Sequence, residues 1–234
     1  MLVLIFLTGM AIGSFLALAA WRIPRGESVI APGSYCDVCG ETLKPVHMIP
    51  VASYMLLRGR CAVCDTKISA LSTLTEITFG VLLVVLYRQL GLTLDFIILT
   101  GITGLLFVMA LIDLRSQEVY DRHLIMIGAL ILLFVARTPS HLLNALPGVL
   151  VWTVLALGLG HRMGDGDKIL IGLMLFLFAP PMQICWLVFS IWCAAALGIV
   201  LLIRGASRKT AVPFVPFLTL GFCLLLLIYP GVLP

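Results

Sequence analysis

Four cysteines stand in two pairs whose spacing is typical of a metal site. The pairs are Cys36-Asp-Val-Cys39 and Cys61-Ala-Val-Cys64, with 21 residues between them. Each C-x2-C pair supplies two thiolate ligands to one ion, and two pairs complete a tetrahedral set of four thiolates. Because no position is left for water, a four-cysteine zinc site is usually structural. The alternative interpretation is a pair of disulfide bonds.

Two aspartates lie beside long uncharged stretches, where a carboxylate is costly. Asp113 follows the uncharged run 96–112, and Asp167 precedes another that begins at Ile169. If their helices touch, the two carboxylates can share a proton and supply an acid and a base at one pH, as in aspartic peptidases. A structural interpretation stays open for each: Asp113 pairs with Arg115, and Asp167 caps a helix.

The segment Gly164-Asp-Gly-Asp-Lys168 has the residues of a tight turn. Gly164 and Gly166 allow unusual backbone angles and the close approach of a neighbouring helix. Three other motifs are excluded: a P-loop needs Ser or Thr after Lys168, a calcium loop from Asp165 needs Glu at its twelfth position, and a nucleotide fingerprint needs glycine at Ile169. Since Asp113 ends a predicted helix and Asp167 begins one, the helix dipoles predict that Asp167 is ionised and Asp113 protonated.

The elements that position these residues are membrane helices. The chain of 234 residues is 62% hydrophobic and 11% charged, with mean hydropathy +1.17, which excludes an ordinary soluble domain. We predict an all-α polytopic membrane protein with about eight transmembrane helices. Pro180 and Pro181 divide one long run into two spans. The predicted spans are 2–20, 68–87, 96–112, 124–136, 142–160, 169–179, 180–203 and 211–234, of which 124–136 and 169–179 are short.

The basic residues predict the orientation. With the N-terminus outside, 13 of the 15 Lys and Arg residues lie in inner loops, and only Arg88 and Arg137 lie outside. The chain then divides into a first helix (1–20), a cytoplasmic zinc loop (21–67) and a helical bundle (68–234). A reducing cytoplasm disfavours the disulfide alternative. The net charge of +4 belongs to the membrane edges, so the partner is the lipid bilayer and not nucleic acid.

Two further acids are candidates for supporting roles. Glu76 falls inside the second predicted span, and its alternative is a lone acid paired within the bundle. Asp121 opens the fourth span, and its alternative is an N-cap.

Several separated motifs together resemble the type IV prepilin leader peptidases, which are G-x-G-D membrane aspartic proteases of bacteria. The motifs cover nearly the whole chain. They are Gly13-Ser-Phe-Leu16 with Trp21-Arg-Ile-Pro24, the two C-x2-C pairs, Leu56-Leu-Arg-Gly-Arg-Cys61, Glu76, Ala110-Leu-Ile-Asp113 followed by Asp121, Gly164-Asp-Gly-Asp167-Lys168, and Pro213-Phe-Val-Pro-Phe217.

The resemblance implies that Asp113 and Asp167 are the catalytic pair of an endopeptidase in the bacterial inner membrane. Its substrates are prepilins or pseudopilins, cut after Gly on the cytoplasmic side to remove a basic leader. Many members also N-methylate the new N-terminus with S-adenosylmethionine. The supporting residues are Gly164, Gly166, Lys168, Asp121 and Glu76.

The sequence departs from the family at two places. Ala17 stands where the family usually has Asn, and Val119-Tyr120 replaces the usual Ile-Pro or Leu-Pro. Two alternative functions are an ion-coupled transporter, which also uses intramembrane acids, and a zinc-anchored scaffold without chemistry.

Overall fold

The described residues form helices joined by loops, and the longest loop carries the two cysteine pairs. The computed structural model describes residues 1–137, 140–159, 163–205, 207 and 211–228, with the side chains at 140–145 and 159 left out. No named strand occurs in these ranges. The helices are α1 (Leu2–Arg22), α2 (Ala52–Leu56), α3 (Ala70–Leu90), α4 (Leu94–Ser116), α5 (Asp121–Arg137), α6 (Ser140–Leu159), α7 (Asp165–Leu175), α8 (Pro180–Ile203) and α9 (Val215–Ile228).

Each predicted apolar segment overlaps one helix, and residues 160 and 229–234 of these segments lie outside the described ranges. The extra helix, α2, is a short one within the polar loop. Within the described ranges, four helices are long and apolar enough to cross a membrane: those beginning at Leu2, Ala70, Leu94 and Pro180. The protein is therefore a helical membrane protein with at least these four candidate spans. The predicted division of the long apolar run is confirmed, because α7 ends at Leu175 and α8 begins at Pro180.

The chain forms two compact units. In the first, Met1–Arg88, two glycines let α1 and α3 approach closely. A Cβ atom on Gly9 would lie 2.7 Å from the Cα atom of Gly80, and one on Gly13 would lie 2.9 Å from the Cα atom of Glu76. This G-x3-G spacing is typical of contacts between membrane helices, where small residues replace hydrophobic side chains at the interface.

In the second unit, Gln89–Pro234, α4 packs against α5 and α9, α7 packs against α5 and α6, and α8 packs against α9. The first turn of α4 and the last turn of α5 are joined by an ion pair of 2.8 Å between Asp95 and Arg137. The buried rings of Phe178, Trp186 and Phe222 fill the space between the α7–α8 turn, α8 and α9.

The helix α7 is short and ends inside its unit. Its 11 residues correspond to about 16 Å, roughly half of the hydrocarbon thickness. Leu177 and Phe178, in the turn after α7, are fully buried. Gln183 of α8 donates hydrogen bonds to the carbonyl oxygens of Leu175 (2.8 Å) and Phe178 (3.0 Å), so the end of α7 has polar partners away from water.

Candidate active site and metal centre

The two cysteine pairs form two similar turns. In the first, the Cys36 N–H donates to the Glu41 carbonyl at 2.9 Å; in the second, the Cys61 N–H donates to the Thr66 carbonyl at 2.9 Å. Gly40 and Asp65 follow the second cysteine of each pair and both have positive φ, 71° and 57°. Glycine adopts this conformation freely and Asp tolerates it, so each turn can bring its two thiols to one side.

The four sulfurs are brought together. The Sγ atoms of Cys36, Cys39, Cys61 and Cys64 all lie within 4.8 Å of one another. The Cys36 and Cys64 sulfurs are 3.8 Å apart, close to the spacing of about 3.8 Å that a tetrahedral ion with bonds of about 2.3 Å requires. A disulfide needs about 2 Å. The cluster therefore fits a metal ion bound by four thiolates, and these four side chains would hold it.

The loop around the cluster is anchored by a buried arginine and a buried glutamate. The Arg22 guanidinium donates to the carbonyl oxygens of Ser28 (3.0 Å), Pro32 (2.8 Å) and Gly33 (2.9 Å). Glu76 of α3 accepts the Val51 N–H at 2.9 Å. This contact differs from the alternative interpretation of Glu76 as an acid paired within the bundle, because the partner is a backbone N–H of the loop. The sequence indicated Arg22 as a charge at the membrane edge and as part of Trp21-Arg-Ile-Pro24, but no sequence pattern indicated the carbonyl oxygens that it binds.

Asp113 lies one turn before the end of α4, where the Gln117 N–H donates to its carbonyl oxygen. Its side chain is only 4% exposed. The Oδ2 atom accepts the backbone N–H of Val215, the first residue of α9, at 2.9 Å. This contact joins two elements 102 residues apart, and the sequence offered Arg115 as the partner instead.

Asp167 is the third residue of α7, just before the apolar run that begins at Ile169. The N-cap residue is Gly164, so Asp167 is not the cap. Its Oδ1 atom is one of the few buried side-chain nitrogen or oxygen atoms in the described residues that have no hydrogen-bond partner. Burial, and second the charge of Asp113, raise the pKa of Asp167 to about 6. The two carboxylates are therefore close enough to repel each other.

A close backbone contact brings the two helix ends together. A Cβ atom on Gly166 would lie 2.8 Å from the Cβ atom of Val119, in the turn between α4 and α5. Glycine is required there, as the sequence predicted, although the neighbour is a turn and not a helix. The Gln117 side chain in the same turn donates to the Ala211 carbonyl at 3.0 Å. The turn thus connects the end of α4, the start of α7 and the segment before α9.

The remaining candidates lie at the edge of this site. Lys168 forms an ion pair of 2.8 Å with Asp165, whose side chain is 92% exposed. Asp121 is exposed in the first turn of α5. A residue that the sequence did not indicate is Trp152 of α6, whose indole N–H donates to the Lys168 carbonyl at 2.7 Å.

A helical membrane protein that brings together two aspartates from different helices, Asp113 buried and Asp167 partly buried, has the side chains that a membrane aspartic peptidase would need. The four-thiol cluster in the loop between α1 and α3 is a second, independent feature.

Comparisons with known proteins give the family. Residues 7–90 match the family model of the Bacterial Peptidase A24 N-terminal domain. The Prepilin leader peptidase/N-methyltransferase of Bacillus subtilis is 29% identical over 94% of this chain and 92% of its own length. The protein of the same name from Burkholderia pseudomallei is 30% identical, over 85% of this chain and 68% of its own. That from Pseudomonas putida is 28% identical, over 91% and 85%. The chain belongs to the prepilin leader peptidase family. No solved structure matched it.

Proposed function

We propose that this protein removes the leader peptide from type IV prepilins or pseudopilins, with Asp113 and Asp167 as the catalytic pair. The observation that carries this proposal is the position of two carboxylates, the buried Asp113 of α4 and the partly buried Asp167 of α7, within electrostatic reach of each other. Like charges that are buried together cannot both ionise easily, so one of them keeps a proton. The names of the relatives supply the substrate.

The pair can hydrolyse a peptide bond without a covalent intermediate. The ionised aspartate takes a proton from water while the water oxygen bonds to the peptide carbonyl carbon, and the protonated aspartate gives its proton to the carbonyl oxygen. The C–N bond then breaks as the amine nitrogen receives the proton held by the first aspartate. The second aspartate recovers a proton from the diol, and the pair returns to its starting state.

For the membrane arrangement, we propose that α1 and α3–α9 all lie in the bacterial inner membrane with the N-terminus outside. The distribution of the basic residues supports this orientation. The shorter helices include α7, which enters the bilayer partway and continues into the buried turn before α8. In this orientation the loop 21–67 and the aspartate pair face the cytoplasm, where the leader of a prepilin would be cut.

The metal in the loop is proposed to be zinc, in a structural role. Four thiolates suit zinc and leave it no open position for water. When bound, zinc supplies a cross-link between the two cysteine turns and no step of hydrolysis. A reducing cytoplasm would keep the cysteines available as thiolates.

A second activity, N-methylation of the new N-terminus with S-adenosylmethionine, is proposed from the names of the relatives alone. Mass spectrometry of the processed pilin tests it directly, since methylation adds one methyl group to the new N-terminal residue. An unmethylated product formed in the presence of S-adenosylmethionine would restrict the protein to proteolysis.

The test of proteolysis uses isostructural variants in membranes that contain a type IV prepilin. Asp113→Asn and Asp167→Asn keep the side-chain shape but cannot exchange the proton, so each should abolish the mobility shift and the new N-terminus. The matched control is Asp165→Asn, which lies in the same turn of α7 but is exposed. Normal processing by either of the first two variants would refute the assignment.

A further inference from the structure

We propose that the first turn of α9 is a third component of the active site: the Val215 N–H positions Asp113 and stabilises its ionised form. Asp113 is then the base and Asp167 the acid. This inference rests on the proposed function and adds to it a positioning residue and the assignment of the two roles.

The contact between Val215 and Asp113 is buried on both sides. Val215 is fully buried, Asp113 is nearly so, and the N–H to Oδ2 distance is 2.9 Å. The first N–H groups of a helix have no partner within the helix and carry partial positive charge. An anion is therefore favoured at this place, and a hydrogen bond to a charged acceptor away from water is among the stronger ones.

The sequence of this segment limits which backbone N–H groups can donate to the aspartate. The N–H groups of Phe217 and Leu218 donate to the Phe214 carbonyl, at 3.0 and 3.2 Å. Pro216 has no N–H at all. The Val215 N–H lies 2.9 Å from the Asp113 Oδ2 atom, and the preceding Phe214 N–H also donates to this carboxylate, which gives a role to the segment Pro213-Phe-Val-Pro-Phe217.

The start of α9 is fixed against α4 at more than one level. The Gln117 side chain donates to the Ala211 carbonyl before the helix. One turn into the helix, the Thr219 hydroxyl lies 2.9 Å from the Val215 carbonyl of α9 itself and 3.3 Å from the Leu106 carbonyl of α4. These contacts bracket the Val215 bond. The donor is thus held in place before substrate binds, as an electrostatic contribution to catalysis requires.

The two aspartates have opposite environments. Asp113 has a buried donor, whereas Asp167 has a buried oxygen without a partner. A buried oxygen without a donor favours the protonated form of its carboxyl group, so the geometry places the resting proton on Asp167. This order reverses the one predicted from the helix ends of α4 and α7. The reason is that the dipole of α9, which the sequence could not place, acts on Asp113 directly.

The roles follow with all atoms balanced. Asp113 accepts a proton from water as the water oxygen bonds to the carbonyl carbon, and Asp167 gives its proton to the carbonyl oxygen. Asp113 then passes its proton to the leaving amine nitrogen as the C–N bond breaks, and Asp167 is reprotonated by the diol hydroxyl.

Other titratable or charged side chains near the two aspartates can affect the pH dependence of the pair. Asp167 is the group whose charge couples to Asp113. The titratable or charged side chains on the described parts of the elements packed around the site are Glu118 and Tyr120 in the turn between α4 and α5, Cys223 on α9, Asp121, Arg122, His123 and Arg137 on α5, Asp165 and Lys168 on α7, and Asp95 and Arg115 on α4 itself.

The decisive experiment removes the N–H while preserving the helix. Val215→Pro deletes the donor, and proline is accepted at the first position of a helix. In this same protein, α8 begins with Pro180-Pro181, the dipeptide that the variant would create at the start of α9. The matched variant, Val215→Ala, keeps the N–H and loses side-chain volume instead.

Purified full-length variants in detergent are assayed on a prepilin from pH 4 to 8. We expect Val215→Pro to lower kcat at least about 10-fold relative to Val215→Ala and to move the acidic limb of the kcat profile up by about one pH unit or more, with KM little changed. Identical rates and profiles for the two variants would overturn the proposal. If Asp113→Asn is inactive and Val215→Pro behaves as Val215→Ala, the proteolytic function stands and only this inference fails.

A second measurement applies if Val215→Pro does not fold. Hydrogen–deuterium exchange of the peptide covering 211–219 should increase several-fold in Asp113→Asn, where the charged acceptor is lost, and should stay as in the wild type in Asp167→Asn. Equal exchange in the two variants would contradict the proposal, because an aspartate that does not hold α9 would not protect it.

Discussion

The cysteine cluster and the aspartate site are built in different ways. The four thiols come from one loop, and each pair is shaped by its own turn, with the same hydrogen bond at Cys36 and Cys61. The two carboxylates come from different helices and meet because a turn at Val119 packs on Gly166 while the start of α9 binds Asp113. A metal site can thus be encoded by local spacing, whereas this acid pair depends on helix packing.

The largest effect expected from this comparison is a loss of cleavage activity without a loss of bound zinc. Asp113→Asn or Asp167→Asn should lower the rate of prepilin cleavage by at least about 10³-fold, since each variant removes one of the two groups that transfer protons. Bound zinc, measured by elemental analysis, should be unchanged, because the thiols belong to a different unit of the chain. Loss of zinc in these variants would mean that the two sites are not independent.

The converse variant changes the cysteine cluster. Cys61→Ser removes a buried ligand and should release the metal, because a three-thiolate site binds zinc much more weakly. Limited proteolysis within 26–69 should become faster and the thermal midpoint should fall, whereas Cys185→Ser, which changes an exposed cysteine of α8, serves as the control. A fully stable, metal-free Cys61→Ser protein would show that the cluster is not a structural metal site.

The aspartate pair predicts a pH dependence. Asp167 keeps its proton up to about pH 6, so as the general acid it should lose activity as the pH rises through and above that value. The ionised partner should cause a second loss at lower pH, and the profile of kcat should be bell-shaped with apparent values that belong to the pair. A rate that is constant from pH 5 to 8 would argue against proton sharing.

A smaller effect is expected at Trp152, which binds the Lys168 carbonyl next to Asp167. A Cβ atom on Gly172 would lie 2.9 Å from the indole nitrogen, so the ring fits only because this position of α7 is glycine. Trp152→Phe should lower kcat about 3- to 10-fold through a less fixed α7, the loss of one hydrogen bond being worth about 1 kcal/mol. Trp192→Phe, at a side chain 73% exposed on α8, is the matched control and should have no effect.

The smallest effect on cleavage is expected at Glu76, where the variants test whether this side chain anchors the loop. Glu76→Gln keeps an oxygen that can accept the Val51 N–H, so cleavage should change less than about twofold, whereas Glu76→Ala leaves that N–H unsatisfied and should destabilise the loop by about 1–3 kcal/mol. Thermal unfolding of the two variants measures the difference. Equal stability of Glu76→Gln and Glu76→Ala would exclude the anchoring role.

Sequence alone determined the features that depend on short-range spacing or on composition. Apolar runs located the helices α1 and α3–α9 of the described ranges because lipid excludes charge, and Pro180-Pro181 located the break between α7 and α8 because proline cannot continue a helix. The C-x2-C pairs predicted a four-thiol cluster because each turn brings two ligands to one side. The identities of Asp113 and Asp167 as candidates came from the cost of a carboxylate at the edge of an apolar run.

Tertiary structure decided what those residues contact. The donor to Asp113 is a backbone N–H 102 residues away, and every residue except proline has one, so no side-chain pattern could indicate Val215. The same holds for the carbonyl groups that bind Arg22 and for the close approach of Gly9 to Gly80. Local geometry fixes a turn, but the partner of a buried charge is chosen by the packing of distant helices, because only packing brings their backbones within hydrogen-bonding distance.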